Sequence, residues 1–410
     1  MAGIRVLDLT TFLSGPSATQ MLGDLGAEVI KVEPPAGDSS RSIPPHFVGD
    51  DSAYYLANNR NKRSIVVDLK HPDGLQTVTR LALKSDVLLE NFRPGVCARL
   101  GLDSRRLTQD NPRLVWASIS GFGQVGPLRE RPAYDMIVQA MSGVMSLTGH
   151  PDGPAARLGI PAGDVVAGMY AVVGVLAALV ARSVTGRGEV IDVSMLDSQF
   201  SQLSYQAVYT LLSGSSPAPQ GAGHDSIPTY RSFTGSDGRE FVVTANTQPM
   251  WERLAAVTGL GWMSQDRRFS DQAGRLRHKA LLWDALEEAF THRPAGEWVD
   301  LLVESNVPAA LVLDVGAALD LAKSGERDMI LDLSDGHGHA VQSVATPIRF
   351  PDRPLQTHRY PPRLGQDSRE VLREVLGLEE HTIDGLIESA AVATSEPLNS
   401  SELHQQEERV

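Results

Sequence analysis

The chain has 410 residues, 42% hydrophobic, 21% charged and 6% aromatic. That is enough for two or three domains whose cores need neither disulfides nor structural metals. Lys+Arg 37 against Asp+Glu 50 leaves a formal charge of −13, which excludes a general binder of nucleic acid or anionic membrane, since both need an electropositive surface. The single cysteine, Cys97, excludes an internal disulfide and a multi-cysteine zinc site, and fits a reducing, cytoplasmic compartment.

The stretch Met1 to Thr10 has none of the basic start, apolar run and small-residue cleavage site of a secretory leader. From there, short β-branched runs alternate with helical segments. Strands are predicted over Ile4 to Leu9, Ala27 to Val32, Ser64 to Leu69, Asp86 to Glu90, Leu114 to Ser120 and Val190 to Met195. Helices are predicted over Ser17 to Leu25 and Gly74 to Lys84. Strand, helix, strand in succession implies an α/β unit with a parallel sheet and ligands outside the carboxyl ends of its strands. The uncharged stretch Val165 to Ala181 falls short of the roughly 20 residues of a membrane span, and glycines dilute it. It reads as a helix apolar all round, in the middle of the core, with no membrane partner.

Ser213 to Pro228 (SGSSPAPQGAGHDSIP) marks a boundary or mobile loop. Beyond it, a strand at Glu240 to Ala245 and helices at Met250 to Thr258, His278 to Phe290 and Pro294 to Glu304 form a smaller α+β unit. β-rich sequence resumes near Asp328, with helices at Ser368 to Leu376 and Glu380 to Ser389. The expected organisation is residues 1–212 as the first part of a large domain, 225–325 as a small domain, and 326–393 as a return to the large one. Residues 394–410 form a polar, disordered tail.

Gly121-Phe122-Gly123-Gln124-Val125-Gly126 matches the dinucleotide pattern G-x-G-x-x-G. A true fingerprint opens a helix, whereas Pro127 and Pro132 interrupt this one, so a glycine-rich loop is the better reading. His337-Gly338-His339 has no further ligand at a metal-binding spacing, and no metal is expected. Arg60, Lys62 and Arg63 crowd the start of one predicted strand and Lys70 follows its end, while Arg93 and Arg99 follow the next. Cations at the ends of consecutive parallel strands suit a phosphate-rich ligand, although a charge run is otherwise a solvated face. Asp164 opens the most apolar helix. It is either a cap for that helix or a carboxylate kept ionised by the helix terminus, able to act as nucleophile or base.

Several segments together resemble the class III CoA-transferases, the family of formyl-CoA:oxalate and carnitine CoA-transferases. They are RVLDLTTFLSGPSATQMLGDLGAEVIKVE near the N-terminus, NRNKRSIVVDLK (Asn59 to Lys70), ENFRPG (Glu90 to Gly95), SGFGQVGP and PAYDMIVQAMSG (Pro132 to Gly143). The Gly-Asp pair before the apolar helix, TGRG (Thr185 to Gly188), VPAALVLD from Val307 and PPRLGQDS from Pro361 complete the set. The resemblance implies a large domain with a Rossmann-like parallel sheet built from both chain ends, a small domain, and an interlocked homodimer.

It also implies that Asp164 is the catalytic aspartate, carrying aspartyl anhydride and aspartyl-CoA intermediates between an acyl-CoA donor and a carboxylic acid acceptor. No permanent cofactor is implied, and the CoA thioester is itself the substrate. Arg41, Lys70, Asn91, Phe92 and Arg99 fall on positions that hold CoA, and Tyr134 matches a tyrosine at the reactive end. Arg131 adjoins a position where a basic residue is expected and Pro132 stands. Leu13 replaces the active-site glutamine of the oxalate enzymes, and their tetraglycine lid survives only as Gly221-Ala222-Gly223-His224, which argues against oxalate as acceptor. The sister branch, the 2-methylacyl-CoA racemases, needs a second acid/base, usually a histidine, where this chain has Tyr134. A phenol with a pKa near 10 serves that role poorly, so transferase is the expected activity and racemase the alternative.

Overall fold

The computed structural model describes residues 1–352 and 358–395, so all but the first two residues of the expected tail lie outside the described residues. The described chain groups into two compact units. The first comprises Met1–Val144, Arg157–Ser215 and the chain from Gly325 onward; the second comprises Met145–Ala156 and Ser216–Ser324.

Six parallel strands build the first unit: β1 (Arg5–Asp8), β2 (Glu28–Glu33), β3 (Lys62–Val67), β4 (Val87–Glu90), β5 (Val115–Ser120) and β6 (Val190–Ser194). Their spatial order is β3-β2-β1-β4-β5-β6, and an edge strand, Val392–Ala393, runs antiparallel beside β3. Both chain ends therefore contribute to one sheet. The chain winds outward from β1 to β3 and then returns to the other side of β1, so the order reverses between β1 and β4. Open parallel sheets bind their ligands at that point, beyond the strand carboxyl ends.

Every residue of β3 and β5 is buried, as a parallel sheet covered on both faces requires. Alternation along the strands divides the core in two. Val6, Val29, Val87 and Val115 face helices α1 (Ser14–Asp24) and α4 (Ala162–Thr185). Leu7, Ile30, Ile65 and Leu88 face helix α2 (Pro72–Leu83) and the C-terminal helix Ser368–Leu376. Between them in sequence, helix α3 (Asp135–Met141) packs on α4.

The expectation that α4 is buried all round needs correction. Its Ala167, Ala171 and Val175 are fully buried, but Met169, Val173, Val180 and Val184 are exposed in the single chain, as are Val208, Leu211 and Leu212 of the following helix Ser204–Ser213. Among the described residues α4 is the one helix long and apolar enough to cross a membrane by length and composition.

The second unit is a three-stranded antiparallel sheet, Ala309–Leu311, Glu240–Thr244 and Tyr230–Thr234. It packs on helices Gln248–Val257, Lys279–Phe290 and Ala295–Glu304 through an aromatic core that includes Phe233, Phe241, Trp251, Phe290 and Trp298. Met145–Ala156 joins this unit although it precedes α4 in sequence; the Gly221 amide, for example, donates to the Gly149 carbonyl at 2.9 Å.

Candidate active site

Helix α4 begins after Pro161, and no side chain of its own caps it. The cap comes from α3. Asp135 Oδ1 accepts the Gly163 amide at 2.7 Å, while Oδ2 accepts from Gln139 Nε2 at 2.7 Å. Gln139 Oε1 in turn accepts the Leu158 amide at 2.9 Å, tying down the approach to the helix. Only glycine fits at residue 163, since a Cβ there would lie 2.7 Å from Val138 Cγ2 and 2.9 Å from Asp135 Oδ1. Asp164 is therefore not the cap. With that work done 28 residues earlier in the chain, its carboxylate is released from capping and instead meets the Ser14 side chain.

The loop leaving β1 is fixed from below and from the side. Lys31 Nζ, fully buried and paired with Asp38 at 2.8 Å, donates to the Thr10 carbonyl at 2.8 Å. Asn91, just beyond β4, accepts the Thr11 amide at 2.9 Å and donates to the Thr11 carbonyl at 2.8 Å. Asp38 Oδ1 takes the Phe12 amide at 3.1 Å and so holds Phe12 at φ 71, a left-handed conformation uncommon for a bulky residue. The carbonyls of Thr10 and Thr11 are thus occupied. Accordingly the amides of Leu13, Ser14 and Gly15, at the start of α1, donate no hydrogen bond among the described residues. All three residues are buried.

Helices α1 and α4 touch closely enough that a Cβ on Gly168 would lie 2.7 Å from the Ser14 carbonyl. This contact sets Ser14 beside Asp164. Burial, then the charge of Asp135, pushes the Asp164 carboxyl up to about 7, while a hydrogen bond from the Ser14 side chain pulls it down. The expectation that the helix terminus keeps this carboxylate fully ionised is thereby corrected: burial and a like charge outweigh it, and the group sits at the edge of ionisation near neutrality.

Three aromatic rings gather beside it. Phe12 lies 5.3 Å from Tyr54 and 5.9 Å from Tyr134, ring centre to ring centre. The Tyr54 phenol is pushed up to about 12 by burial and then by Asp164, Asp135 and Asp38, which puts it in the electrostatic reach of all three aspartates. Tyr134 is 68% exposed. Tyr54 is absent from the sequence-derived set. It shares a one-turn helix, Ala53–Leu56, with the fully buried Tyr55, and nothing in Ser52-Ala53-Tyr54-Tyr55 distinguishes the two.

The cations divide sharply. Lys70, Arg93, Arg99 and Arg131 are exposed, and no ion pair engages them among the described residues. Arg60, Lys62 and Arg63 are buried and internally paired: Arg60 with Asp24, Lys62 with Asp8 at 3.1 Å, Arg63 with Glu28 at 3.0 Å. Their expected role towards phosphate is withdrawn, because internal ion pairs consume their charge, with buried acids for Arg60 and Lys62 and partly exposed ones for Arg63. Arg41 is also committed elsewhere. Its guanidinium pairs with Glu33 at 2.7 Å and Asp51 at 2.6 Å, donates to the Pro362 carbonyl and stacks on Tyr55. At 8% exposure it supports the scaffold rather than presenting a charge to a ligand. Asn91 and Phe92 are half-buried, the former clamping the Phe12 loop and the latter packed on the core beneath α2.

Elsewhere, Gly121–Gly126 leave β5 as a loop, and no helix starts before Asp135. His339 lies in the turn of the hairpin Ile330–Ser334 and Ala340–Val344, its Nδ1 2.8 Å from Asp335. The Cys97 thiol is buried and its pKa pushed up by that burial.

A parallel α/β unit with a half-buried carboxylate at its switch point, beside helix amides that donate to nothing among the described residues, is a candidate active site, and the comparisons place it in a family. The family model described as CoA-transferase family III matches residues 1–368, and the chain belongs to that family. It is 41% identical over 331 residues, 80% of this chain and 85% of the relative, to acetyl-CoA:oxalate CoA-transferase of Acetobacter aceti. It is 36% identical to succinate–glutarate CoA-transferase of Agrobacterium fabrum, covering 92% of this chain and 96% of the relative. Among solved structures, a CAIB/BAIF family protein from Brucella suis superposes with a TM-score of 0.81 at 35% identity, over 91% of this chain and 98% of that one. The protein is thus a CoA-transferase.

Proposed function

We propose that this enzyme moves CoA reversibly between an acyl-CoA and a short dicarboxylic acid, through covalent intermediates on Asp164. The Asp164 carboxylate attacks the thioester carbonyl; the carbon–sulfur bond breaks and CoA leaves as thiolate, giving a mixed anhydride. The thiolate then attacks the aspartyl carbonyl, releasing the first acid as carboxylate and leaving an aspartyl-CoA thioester. The acceptor carboxylate displaces the thiolate to form a second anhydride. Thiolate attack on its acyl carbon yields the new acyl-CoA and regenerates Asp164.

The observation that carries this reading is a carboxylate that caps no helix and takes a hydrogen bond from the Ser14 side chain, beside helix amides that donate to nothing among the described residues. The amides of Leu13, Ser14 and Gly15 are donors suited to the oxyanion of each tetrahedral intermediate. Phe12, Tyr54 and Tyr134 supply the walls that keep water from the anhydride. Lys70, Arg93, Arg99 and Arg131 are the charges available to CoA phosphates, whereas Arg41 drops out of that set.

Relatives named for oxalate and for succinate and glutarate favour a dicarboxylate acceptor. The oxalate relative weakens the case made against oxalate from Leu13 and Gly221–His224. The racemase alternative is not favoured: the relatives compared are transferases, and the position of its second acid/base holds an exposed tyrosine. The exposed apolar side of α4 and of Ser204–Ser213 is the surface we assign to the homodimer. In the test, Asp164→Ala keeps CoA affinity but loses exchange between thioester and acid, and wild-type enzyme quenched with acyl-CoA shows a CoA-sized mass addition on the peptide carrying residue 164. Undiminished exchange by the variant would refute the mechanism.

A further inference from the structure

Among the buried carboxyls outside the mechanism, Glu90 is one that no basic side chain pairs with among the described residues. Glu90 ends β4, two residues before Phe92, and is 5% exposed. Its Oε2 accepts the Phe92 amide at 2.8 Å, closing the turn that also presents Asn91 to the Phe12 loop. Across the sheet, Glu90 pairs with Ser118 of β5, and Ser118 with Asp192 of β6. A carboxyl, a hydroxyl and a second carboxyl therefore stand in a row across the sheet, at the carboxyl end of β4 and inside the carboxyl ends of β5 and β6. The Trp116 indole donates to Ser118 Oγ at 2.9 Å, which turns the Ser118 hydroxyl hydrogen towards Glu90. Asp192 Oδ2 accepts the Gln124 amide at 2.9 Å, so the acidic row also anchors the glycine-rich loop.

The groups facing Glu90 are Ser118 from β5, Asp192 from β6, the neutral Cys97 thiol from the helix Val96–Arg99, and the Phe92 amide. No basic side chain pairs with it among the described residues. Burial, and to a lesser degree Asp192, push Glu90 up to about 7 against the hydrogen bonds from Ser118 and Phe92.

We propose that Glu90 is a positioning residue that makes acyl-CoA binding proton-linked: the thioester binds the form in which Glu90 is neutral, and the complex takes up a proton where the free enzyme is ionised. The reason is electrostatic. If a pantetheine arm lies over the Asn91–Phe92 turn, as the resemblance implies for these two residues, it removes what water remains above Glu90 and brings its own anionic phosphates to the same end of the sheet. Both disfavour a carboxylate beneath. The inference rests on the acyl-CoA reading given above.

The experiment is titration calorimetry with acetyl-CoA in the non-reacting Asp164→Asn background, from pH 6 to 9, in buffers of different ionisation enthalpy. With Glu90 intact, affinity falls about 10²-fold over that range and proton uptake accompanies binding at pH 8. Adding Glu90→Gln, which keeps an acceptor for the Phe92 amide, flattens the affinity profile to within about twofold and abolishes that uptake. Asp192→Asn keeps its acceptor for Gln124 but removes the like charge, and shifts the fall in affinity to lower pH. Equal proton uptake and equal pH dependence with and without Glu90→Gln would overturn the proposal, as would a shift to higher pH in Asp192→Asn. If acetyl-CoA binds at no pH, it is the acyl-CoA reading itself that fails.

Discussion

Asp135 and Asp164 meet at the start of one helix and perform opposed tasks. Asp135 accepts the Gly163 amide at 2.7 Å and so fixes the helix start, while its charge pushes the neighbouring Asp164 carboxyl up, after burial. Asp135→Asn keeps an oxygen for the Gly163 amide and removes the charge. On the mechanism we propose, Asp164 must be ionised to attack, so wild-type kcat should rise with pH through about 7, and in Asp135→Asn that rise should move to lower pH. Asp135→Ala also loses the cap, and kcat falls at every pH by roughly 10²-fold as the nucleophile shifts. A rise at the wild-type position in Asp135→Asn would contradict this coupling. The pH dependence of single-turnover transfer measures it.

Folding stability reports the same carboxyl independently of catalysis. The Asp164 pKa is raised in the folded protein, from 3.8 to about 7. Its contribution to stability is therefore fully present below the unfolded value and is lost as pH rises through the folded one. Asp164→Asn, neutral throughout, should gain melting temperature relative to wild type between pH 5 and pH 8, by a few degrees. Differential scanning calorimetry at the two pH values checks the sign, and a difference that does not grow with pH would count against the raised pKa.

The two classes of cation should separate cleanly. Lys70→Ala and Arg99→Ala should raise KM for acyl-CoA by about tenfold, leave kcat unchanged and reduce the salt dependence of KM. Arg41→Ala instead strands the buried Glu33 carboxylate and should cost about 3–5 kcal/mol of stability. Steady-state kinetics combined with urea unfolding distinguishes the two outcomes.

Much of the sheet is legible in the sequence because a strand buried on both faces needs an apolar run, and runs such as Ser64 to Leu69 and Leu114 to Ser120 mark where β3 and β5 lie. The charged groups are less so. A lysine or arginine beside a strand has the same local sequence whether it faces solvent or a buried acid. The acids that claim Arg60, Lys62 and Arg63 stand 36, 54 and 35 residues away in the chain. Asp164 had two readings for the same reason: an aspartate at a helix start looks like its cap until a distant aspartate takes that position. The apolar run of α4 identified a helix but not its surroundings, since hydrophobicity does not say whether the matching surface belongs to the same molecule.

The backbone contact at Gly168 has a mechanical consequence. With no side chain between them, the helix bearing Asp164, the nucleophile we propose, and the helix bearing the amides of Ser14 and Gly15 form a single rigid lever at that point, so tilting one carries the other along. Spacing between attacking oxygen and amide donors is thus insulated from rearrangement of the surrounding aromatic walls. A scaffold of this kind can exchange one acid for another by reshaping Phe12, Tyr54 or Tyr134 while its bond-making geometry stays fixed.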